Sequence, residues 1–469
     1  MANGTGKSDT GGRDTERPNV IFIITDQQCS DMMSCAGNPW LKTPAMDYMA
    51  ENGVRFTRAF CTNPVSSPSR VSLMTGRMPG SFTDRKGKEV RENAGSMRVD
   101  SISPEVSATT LGPYLQKSGY DMVYGGKEHL PRPLNAKNQG FTHLSSDVRS
   151  SLGEAAGEYI SGQHEKPYFM FLSFINPHDI CFMAISDALE DEEYKDITRQ
   201  VNLKAGNAAI SMKYLRDAQK IPEGVDTEEF YSRYCPPARP NIEPQKDEPE
   251  AIQRLMDKYV FRDFARHKYT DRQWRMHRWA YCRLTEVVDR EIRTVLDALK
   301  KSGEEENTIV IFTSDHGDMD GAHRLEHKSL PYDEASRIPF IFMWKNRITP
   351  RVDSTHLISN GLDLLPTVCD IVGVKGGSDP RGRSILPLVL QKQKTDWRHT
   401  LGVESEVGRM VVSDKGYKYI EYDMAKKEIR LQDQNKDPYE MTHVTGKPEY
   451  GKIQKELEKE FHEVWFPGK

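Results

Sequence analysis

The sequence lacks any long hydrophobic run. Its longest purely apolar stretches are a handful of residues, such as Val20 to Ile24 and Phe340 to Trp344. A membrane-spanning helix needs roughly 20, so no membrane span is expected. Charge of one sign is not in excess either: 65 Lys+Arg stand against 69 Asp+Glu, a net charge of −4 over 469 residues. A nucleic-acid binder normally shows a basic excess, and nucleic acid is therefore not an expected partner. Cysteine is sparse. Cys29, Cys35, Cys61, Cys181, Cys235, Cys282 and Cys369 are widely spaced and odd in number, which fits neither a disulfide framework nor paired CxxC zinc ligands. The polar stretch before Pro18 has no apolar h-region, so no secretory leader is visible. Internal repeats and low-complexity tracts are absent as well.

What is present is the composition of a soluble globular protein, 37% apolar and 29% charged, with 34 Gly and 27 Pro spread along the chain. The length allows about three domains at ~150 residues each, or one large α/β domain with a small companion. Residues 1–17 are polar and expected to be disordered. Then Val20-Ile-Phe-Ile-Ile24 forms a continuous β-branched and aromatic run, the mark of a strand buried on both faces. It ends in Thr25-Asp26-Gln27, which sets a carboxylate just past the strand's C-terminal end, where open parallel sheets hold their ligands.

The same layout recurs three times. Tyr120 to Tyr124 runs into Gly125-Gly126-Lys127-Glu128-His129, Tyr168 to Ile175 opens into Asn176-Pro177-His178-Asp179, and Thr308 to Thr313 precedes Ser314-Asp315-His316-Gly317. Packing alone does not explain four apolar runs that each end in Asp, His or Lys. Between them, Leu284, Val287, Val288, Ile292, Val295, Leu296 and Leu299 follow the spacing of one buried helix face, with Gly303 as its stop. Alternating strands and helices imply an α/β fold, a mostly parallel sheet flanked by helices on both sides.

Residues 181–275 lack clear strands and read as an insertion over the active edge of the sheet. Beyond about 376, Arg409 to Val412 and Tyr417 to Tyr422 suggest short antiparallel strands, and Ile453 to Trp465 a terminal amphipathic helix. The expected organisation is a catalytic domain over 18–375 and a smaller α+β domain over 376–469.

Between the first two strand sites lies Ser66-Ser67-Pro68-Ser69-Arg70-Val71-Ser72-Leu73-Met74-Thr75-Gly76-Arg77. A Pro near a helix start beside Ser and Arg makes an N-terminal turn that favours an anion, and Arg70 adds a fixed positive charge. This run resembles the signature of the type I sulfatases of the alkaline phosphatase superfamily, in which Cys or Ser, any residue, Pro, Ser and Arg are followed by Thr-Gly-Arg. The similarity covers nearly the whole chain. Pro18 to Asp26, Leu41-Lys-Thr-Pro44 with Asp47, Gly53 to Phe56, Gly126 to His129, Ser314 to Gly317, Glu326-His327-Lys328 and Asp437-Pro438-Tyr439-Glu440 all fall in that family's order.

The resemblance implies an alkaline-phosphatase-like fold and a sulfuric ester hydrolase acting on a sulfated carbohydrate, a glycosaminoglycan-derived saccharide bearing 6-O or 2-O sulfate. It implies that Ser66 is converted to formylglycine and hydrated to a geminal diol, the nucleophile. A maturing enzyme of the bacterial anaerobic type is the partner that installs it. Asp26, Gln27, Asp315, His316 and the Ser66 side chain would hold a divalent cation, Ca2+ before Mg2+. Arg70, Lys127 and Lys328 would bind sulfate oxygens, His129 would take a proton from the diol, and His178 would stand near the leaving oxygen as general acid. A periplasmic or secreted location follows from the resemblance alone. Two positions depart from the family pattern: Gln27 stands where a second Asp is frequent, which removes one negative charge, and His316 where Asn is common.

The same residues also admit a phosphate or phosphonate monoester hydrolase of the same superfamily using unmodified Ser66, and a non-catalytic binder of sulfated glycans. The basic stretch Arg85 to Arg91 reads as a solvated loop or as a subsite for a second anion. His323 and His327 are expected to make hydrogen bonds or substrate contacts rather than bind zinc, because no HExxH pattern accompanies them. Tyr231, Tyr234, Arg239, Trp274 and Arg275 are expected to shape a sugar pocket.

Overall fold

A computed structural model describes residues 17–84, 87–91, 97, 99, 102–198, 201–376, 379–391 and 396–466. The expected disordered start therefore lies outside the described residues, except for Arg17. The strands are β1 (Asn19–Asp26), β2 (Gly53–Phe56), β3 (Ala59–Phe60), β4 (Asp121–Gly126), β5 (Thr142–Ser145), β6 (Tyr168–Pro177), β7 (Thr308–Ser314), β8 (Phe340–Met343), β9 (Arg351–Asp353), β10 (Ile358–Ser359), β11 (Thr400–Glu404), β12 (Gly408–Ser413), β13 (Tyr417–Tyr422) and β14 (Glu428–Asp433).

Eight of them form one sheet in the order β5-β4-β6-β1-β7-β8-β2-β9. All its pairings are parallel except those of β8, which runs against both its neighbours. β1 sits in the middle and every one of its residues is buried. Side chains of a strand alternate faces, and β1 divides accordingly. Val20, Phe22 and Ile24 join the core under helices Ser66–Thr75, Leu111–Ser118 and Asn360–Val372, whereas Ile21 and Ile23 join the core under Pro44–Glu51, Leu152–Ile160 and Asp271–Ser302. Two covered faces explain why the strand reads as an unbroken apolar run.

The helix Asp271–Ser302 starts at a capping box, Thr270 with Gln273, and stops at Gly303. Its C-terminal half packs on the sheet through Val288, Ile292, Val295, Leu296 and Leu299. Val287, expected on the same face, is only half-buried. The first turns were not legible as part of this helix, because Trp274, Ala280, Tyr281 and Leu284 face a different partner. They share a core with Met183, Met212, Leu215 and Phe264 of the 181–270 segment and with Cys29, Met32 and Leu41 beyond β1. That segment is helical, with Phe182–Glu190, Gly206–Ala218, Glu250–Lys258 and Val260–Lys268 as its longer helices.

Toward the C-terminus, β11-β12-β13-β14 form an antiparallel sheet. One face takes helix Gly451–Trp465 through Val411, Tyr419, Leu431, Leu457 and Phe461. The other face, with Val403, Met410, Val412, Ile420 and Tyr422, packs on Met319, Leu325, Leu330, Tyr332 and Ala335. The small sheet thus shares a core with the segment that carries Lys328. A buried ion cluster reinforces this contact: Lys418 Nζ lies 2.5 Å from Asp333 Oδ1 and 2.8 Å from Glu440 Oε1. Glu440 Oε2 also accepts the backbone N–H of Asp333 at 2.8 Å, which gives the Asp-Pro-Tyr-Glu stretch a structural purpose.

Removing one partner of a buried ion cluster leaves uncompensated charge. Lys418→Met is therefore expected to lower stability by about 3–5 kcal/mol, read from the urea unfolding midpoint. A loss below about 1 kcal/mol, the scale of an exposed pair, would show that the cluster does not fasten the small sheet to that segment.

Candidate active site

Strands β4, β6, β1 and β7 lie side by side, and their C-terminal ends are in register: Gly126 with Ser173, Asp26 with Pro177, Thr25 with Ser314. Lys127 and His129 after β4, His178 after β6, Asp26 and Gln27 at the end of β1, and Asp315 and His316 after β7 are thereby delivered to one edge. Two glycines permit the close approach. Gly126 has φ +93, and a Cβ there would sit 2.0 Å from the Ser173 carbonyl oxygen; a Cβ on Gly317 would sit 1.9 Å from that of Glu334.

Ser66 opens the helix Ser66–Thr75, all ten residues of which are buried, and no side chain caps its first turn. The hydroxyl of Ser69 donates to the Asp315 carbonyl at 2.7 Å and locks the helix to the end of β7. Ser66 Oγ then lies 3.0 Å from His316 Nε2, 3.3 Å from Lys328 Nζ and 3.4 Å from Asp26 Oδ1. Residues distant in sequence meet at one hydroxyl.

Beneath it two buried carboxylates flank one guanidinium. Arg70 Nη2 donates to Asp26 Oδ2 at 3.0 Å and Arg70 Nε to Asp315 Oδ2 at 2.9 Å. Arg70 Nη1 takes Ser173 Oγ at 2.6 Å and the Lys127 carbonyl at 3.1 Å. Lys127 Nζ lies 2.5 Å from Asp26 Oδ2. Burial pushes the Asp26 carboxyl up, but Lys127, with His178, Arg70 and Lys328 behind it, holds it well below the usual carboxylate range. Burial and the neighbouring Asp26 charge push Asp315 up to about 7 against the pull of Arg70. The second carboxylate charge is thus costly as the site stands.

Those two carboxylates and His316 form the group of potential metal ligands found among the described residues. His316 Nε2 lies 3.5 Å from Asp315 Oδ1 and 3.9 Å from Asp26 Oδ1. Its Nδ1 faces the Gly317 carbonyl at 2.8 Å, so Nδ1 carries the proton and the unprotonated Nε2 faces the carboxylates. Burial and Lys328 lower its pKa far enough to keep the ring neutral. Oxygen donors with one neutral imidazole, close enough to share one ion, suit a divalent cation.

Gln27 adds its backbone N–H to Asp315 Oδ1 at 3.1 Å, while its side chain lies between Lys328 and Asp318. His178 is half-buried, with its pKa lowered by burial and by Lys127. His129, half-buried, follows Lys127 in a left-handed backbone conformation, φ 48.

Several sequence expectations need correction. Arg91 of the basic stretch pairs with Asp423 at 2.8 Å and with Glu89 at 3.7 Å, so this arginine is not free for a second anion; Arg85 and Lys86 lie outside the described residues. Arg239 does not face a sugar pocket: it is consumed by Asp31 at 2.8 Å and Asp320 at 3.0 Å. Trp274 is buried in the core of the insertion, and Arg275 is spent on the carbonyls of Pro236 and Tyr231. His323 stacks on Tyr332 at 4.3 Å, and His327 meets Phe261 edge-on at 5.5 Å. Sequence reasoning also missed Ser173, Asp318 and Arg262. A lone Ser inside the apolar run Phe171-Leu172-Ser173-Phe174 was the available signal for the first; Arg262, which donates to the Lys328 carbonyl at 2.9 Å, carried none.

Residues 18–374 match the family described as Sulfatase, and residues 321–465 that described as N-sulphoglucosamine sulphohydrolase, C-terminal. A Delta 4,5-hexuronate-2-O-sulfatase of Bacteroides thetaiotaomicron is 28% identical over 466 residues, covering 93% of this chain and 86% of that protein. An N-acetylglucosamine-6-O-sulfatase of the same organism is 27% identical over 510 residues, covering 95% and 85%. The solved structure of a 2-O GAG sulfatase superposes with a TM-score of 0.76 at 25% identity, covering 96% of this chain and 92% of that one.

Arg70→Met should lower stability by about 3–5 kcal/mol in cation-free buffer, since it strands two buried carboxylates. Added Ca2+ should then raise the melting temperature of the variant by more than that of the wild type, because the ligands have lost a positive neighbour. Equal shifts in both proteins would place the ion elsewhere.

Proposed function

The chain belongs to the sulfatase family and is a hydrolase of sulfate esters, and we propose that its substrate is a glycosaminoglycan-derived saccharide carrying 2-O or 6-O sulfate. The 2-O-sulfatase and 6-O-sulfatase activities of the two relatives support this substrate class. The observation that carries the reading is the meeting of Ser66 Oγ with Asp26, His316 and Lys328 within 3.4 Å, above the Arg70 guanidinium.

A maturing enzyme oxidises Ser66 to an aldehyde, with loss of two hydrogens, and water adds to give a geminal diol. Asp26, Gln27, Asp315, His316 and the residue 66 side chain would hold a divalent cation, Ca2+ for preference. When bound, the cation supplies a Lewis acid that draws charge from the sulfate and favours the ionised hydroxyl. Arg70, Lys127 and Lys328 balance the charge spread over the sulfate oxygens.

His129 accepts the proton of the attacking hydroxyl. The sulfur–oxygen bond to the sugar breaks, and His178 protonates the leaving oxygen. Burial and Lys127 disfavour the charged ring of His178 in the resting site; an arriving sulfate offsets Lys127 and favours uptake of the proton that His178 then donates. The second hydroxyl of the diol then loses its proton, the carbon–oxygen bond to sulfate breaks, and the aldehyde forms again. A plain serine would stop at a stable sulfate ester, which is why the diol is needed.

Protein coexpressed with a maturing enzyme should show residue 66 two mass units lighter, from the two hydrogens lost, and should release sulfate from defined sulfated mono- or disaccharides. Ser66→Ala should abolish release while leaving saccharide binding intact, and Lys328→Ala should cost on the order of 10²–10³ in rate. Turnover by protein with unmodified Ser66, on phosphate rather than sulfate esters, would overturn the mechanism.

A further inference from the structure

His178 has little to hold its ring. Among the described residues, its two ring nitrogens have Cys181 Sγ at 3.8 and 3.9 Å, and Phe182 meets the ring edge-on at 6.4 Å. A thiol is a weak partner, and neither contact fixes an imidazole as a carboxylate or carbonyl would. The direction of the ring is therefore set by the backbone that carries it.

That backbone is clamped at the next residue. Asp179 is fully buried, and Arg149 grips it at two points, Nε to Oδ2 and Nη2 to Oδ1, both at 2.8 Å. A planar fork on a planar carboxylate fixes direction as well as distance. Arg149 is itself anchored. Its backbone N–H donates to Asp147 Oδ1 at 2.7 Å, and Nη2 also donates to Ser211 Oγ at 2.8 Å. The neighbouring Val148 carbonyl accepts the Ile175 N–H of β6 at 3.1 Å. Arg149 follows β5, and Ser211 lies on helix Gly206–Ala218 of the insertion. The turn after β6 is thus tied both to the loop after β5 and to the insertion.

We propose that Arg149, acting through Asp179, is a positioning residue for His178: its two-point grip holds the Pro177-His178-Asp179 turn so that the imidazole faces the leaving oxygen. This rests on the reading of His178 as general acid of the sulfatase site. The hydrogen bonds of Arg149 go to Asp147, Asp179 and Ser211, none of which is a candidate cation ligand or sulfate-binding group. Loosening the grip should therefore leave cation and sulfate in place and change the proton step alone.

The test keeps the charge and removes the fork. In Arg149→Lys the ammonium still neutralises Asp179, so no buried carboxylate is stranded, but two parallel hydrogen bonds become one point contact. On a defined 2-O- or 6-O-sulfated disaccharide, kcat should fall about 10²-fold, the scale of an ångström-level misplacement, with KM little changed. The rise in melting temperature on adding Ca2+, and the affinity for inorganic sulfate titrated by calorimetry, should both stay at wild-type values.

His178→Ala should cost about 10²–10⁴-fold, the scale of a lost general acid. Arg149→Lys added to it should cost almost nothing further, because the group it positions is gone. Full additivity of the two losses, or wild-type kcat in Arg149→Lys, would overturn the proposal. A parallel loss of Ca2+ response or sulfate affinity would do so too, by showing that the ion pair supports the whole site. Should Arg149→Lys not fold, Ser211→Ala decides: kcat should fall about fivefold, the scale of one net hydrogen bond, and a wild-type rate there rejects the grip. Undiminished turnover in His178→Ala would sink the general-acid reading and the positioning role with it, whereas a costly His178→Ala beside an unimpaired Arg149→Lys sinks the positioning role alone. If the wild type turns over no sulfate ester, the functional reading fails, and the His178 ring signals in nitrogen NMR spectra, assigned through His178→Ala, judge the grip. Shifted signals in Arg149→Lys support it, and unchanged ones reject it.

Discussion

The structure turns on one contact, the guanidinium of Arg70 held between the carboxylates of Asp26 and Asp315 with its third face on Ser173. Each of these groups is buried, and none could stay charged there alone. Arg70 sits on the helix that begins with Ser66, so the same residue that neutralises the ends of β1 and β7 also fixes the hydroxyl above them. Charge compensation and positioning of the Ser66 hydroxyl are one interaction. The helix cannot shift without leaving a carboxylate bare.

What the central sheet contributes is adjacency. β4, β6, β1 and β7 are consecutive in the sheet although their order along the chain is β1, β4, β6, β7. That rearrangement brings Asp26 between the groups that follow β6 and those that follow β7. The C-terminal sheet contributes rigidity from the opposite side, because its inner face shares a core with the segment from Met319 to Ala335. The two family matches overlap over 321–374, across that segment. Lys328 is placed from that side through the packing of Leu325 and Leu330.

How far the sequence was legible follows from the range of the interactions involved. β1 and β7 could be read because a strand covered on both faces needs apolar residues without interruption, and Asp26 and Asp315 stand out where those runs stop. The helix from Asp271 was read only from Leu284 onward: its earlier turns obey a different core, whose partners Met183, Met212 and Phe264 are far away in sequence. β11 and β14 were missed for a related reason, since their pairing depends on β12 and β13 rather than on a pattern of their own. Arg239 and Trp274 were misjudged because composition cannot tell an arginine that greets a ligand from one already committed to Asp31 and Asp320.

Counting charges explains the departure at position 27. Asp26 and Asp315 offer two negative charges, while Arg70, Lys127 and Lys328 offer three positive ones, and all five lie within one network of contacts to one another or to Ser66. These five side chains alone leave a single positive excess, which a divalent cation at the Asp26, Asp315 and His316 group would enlarge to three. A further carboxylate at position 27 would lower that excess by one and weaken the hold on an anion. The neutral amide keeps the excess. With a sulfate in place the balance moves back toward zero, so the strongest fields in the site are directed at the substrate rather than cancelled before it arrives.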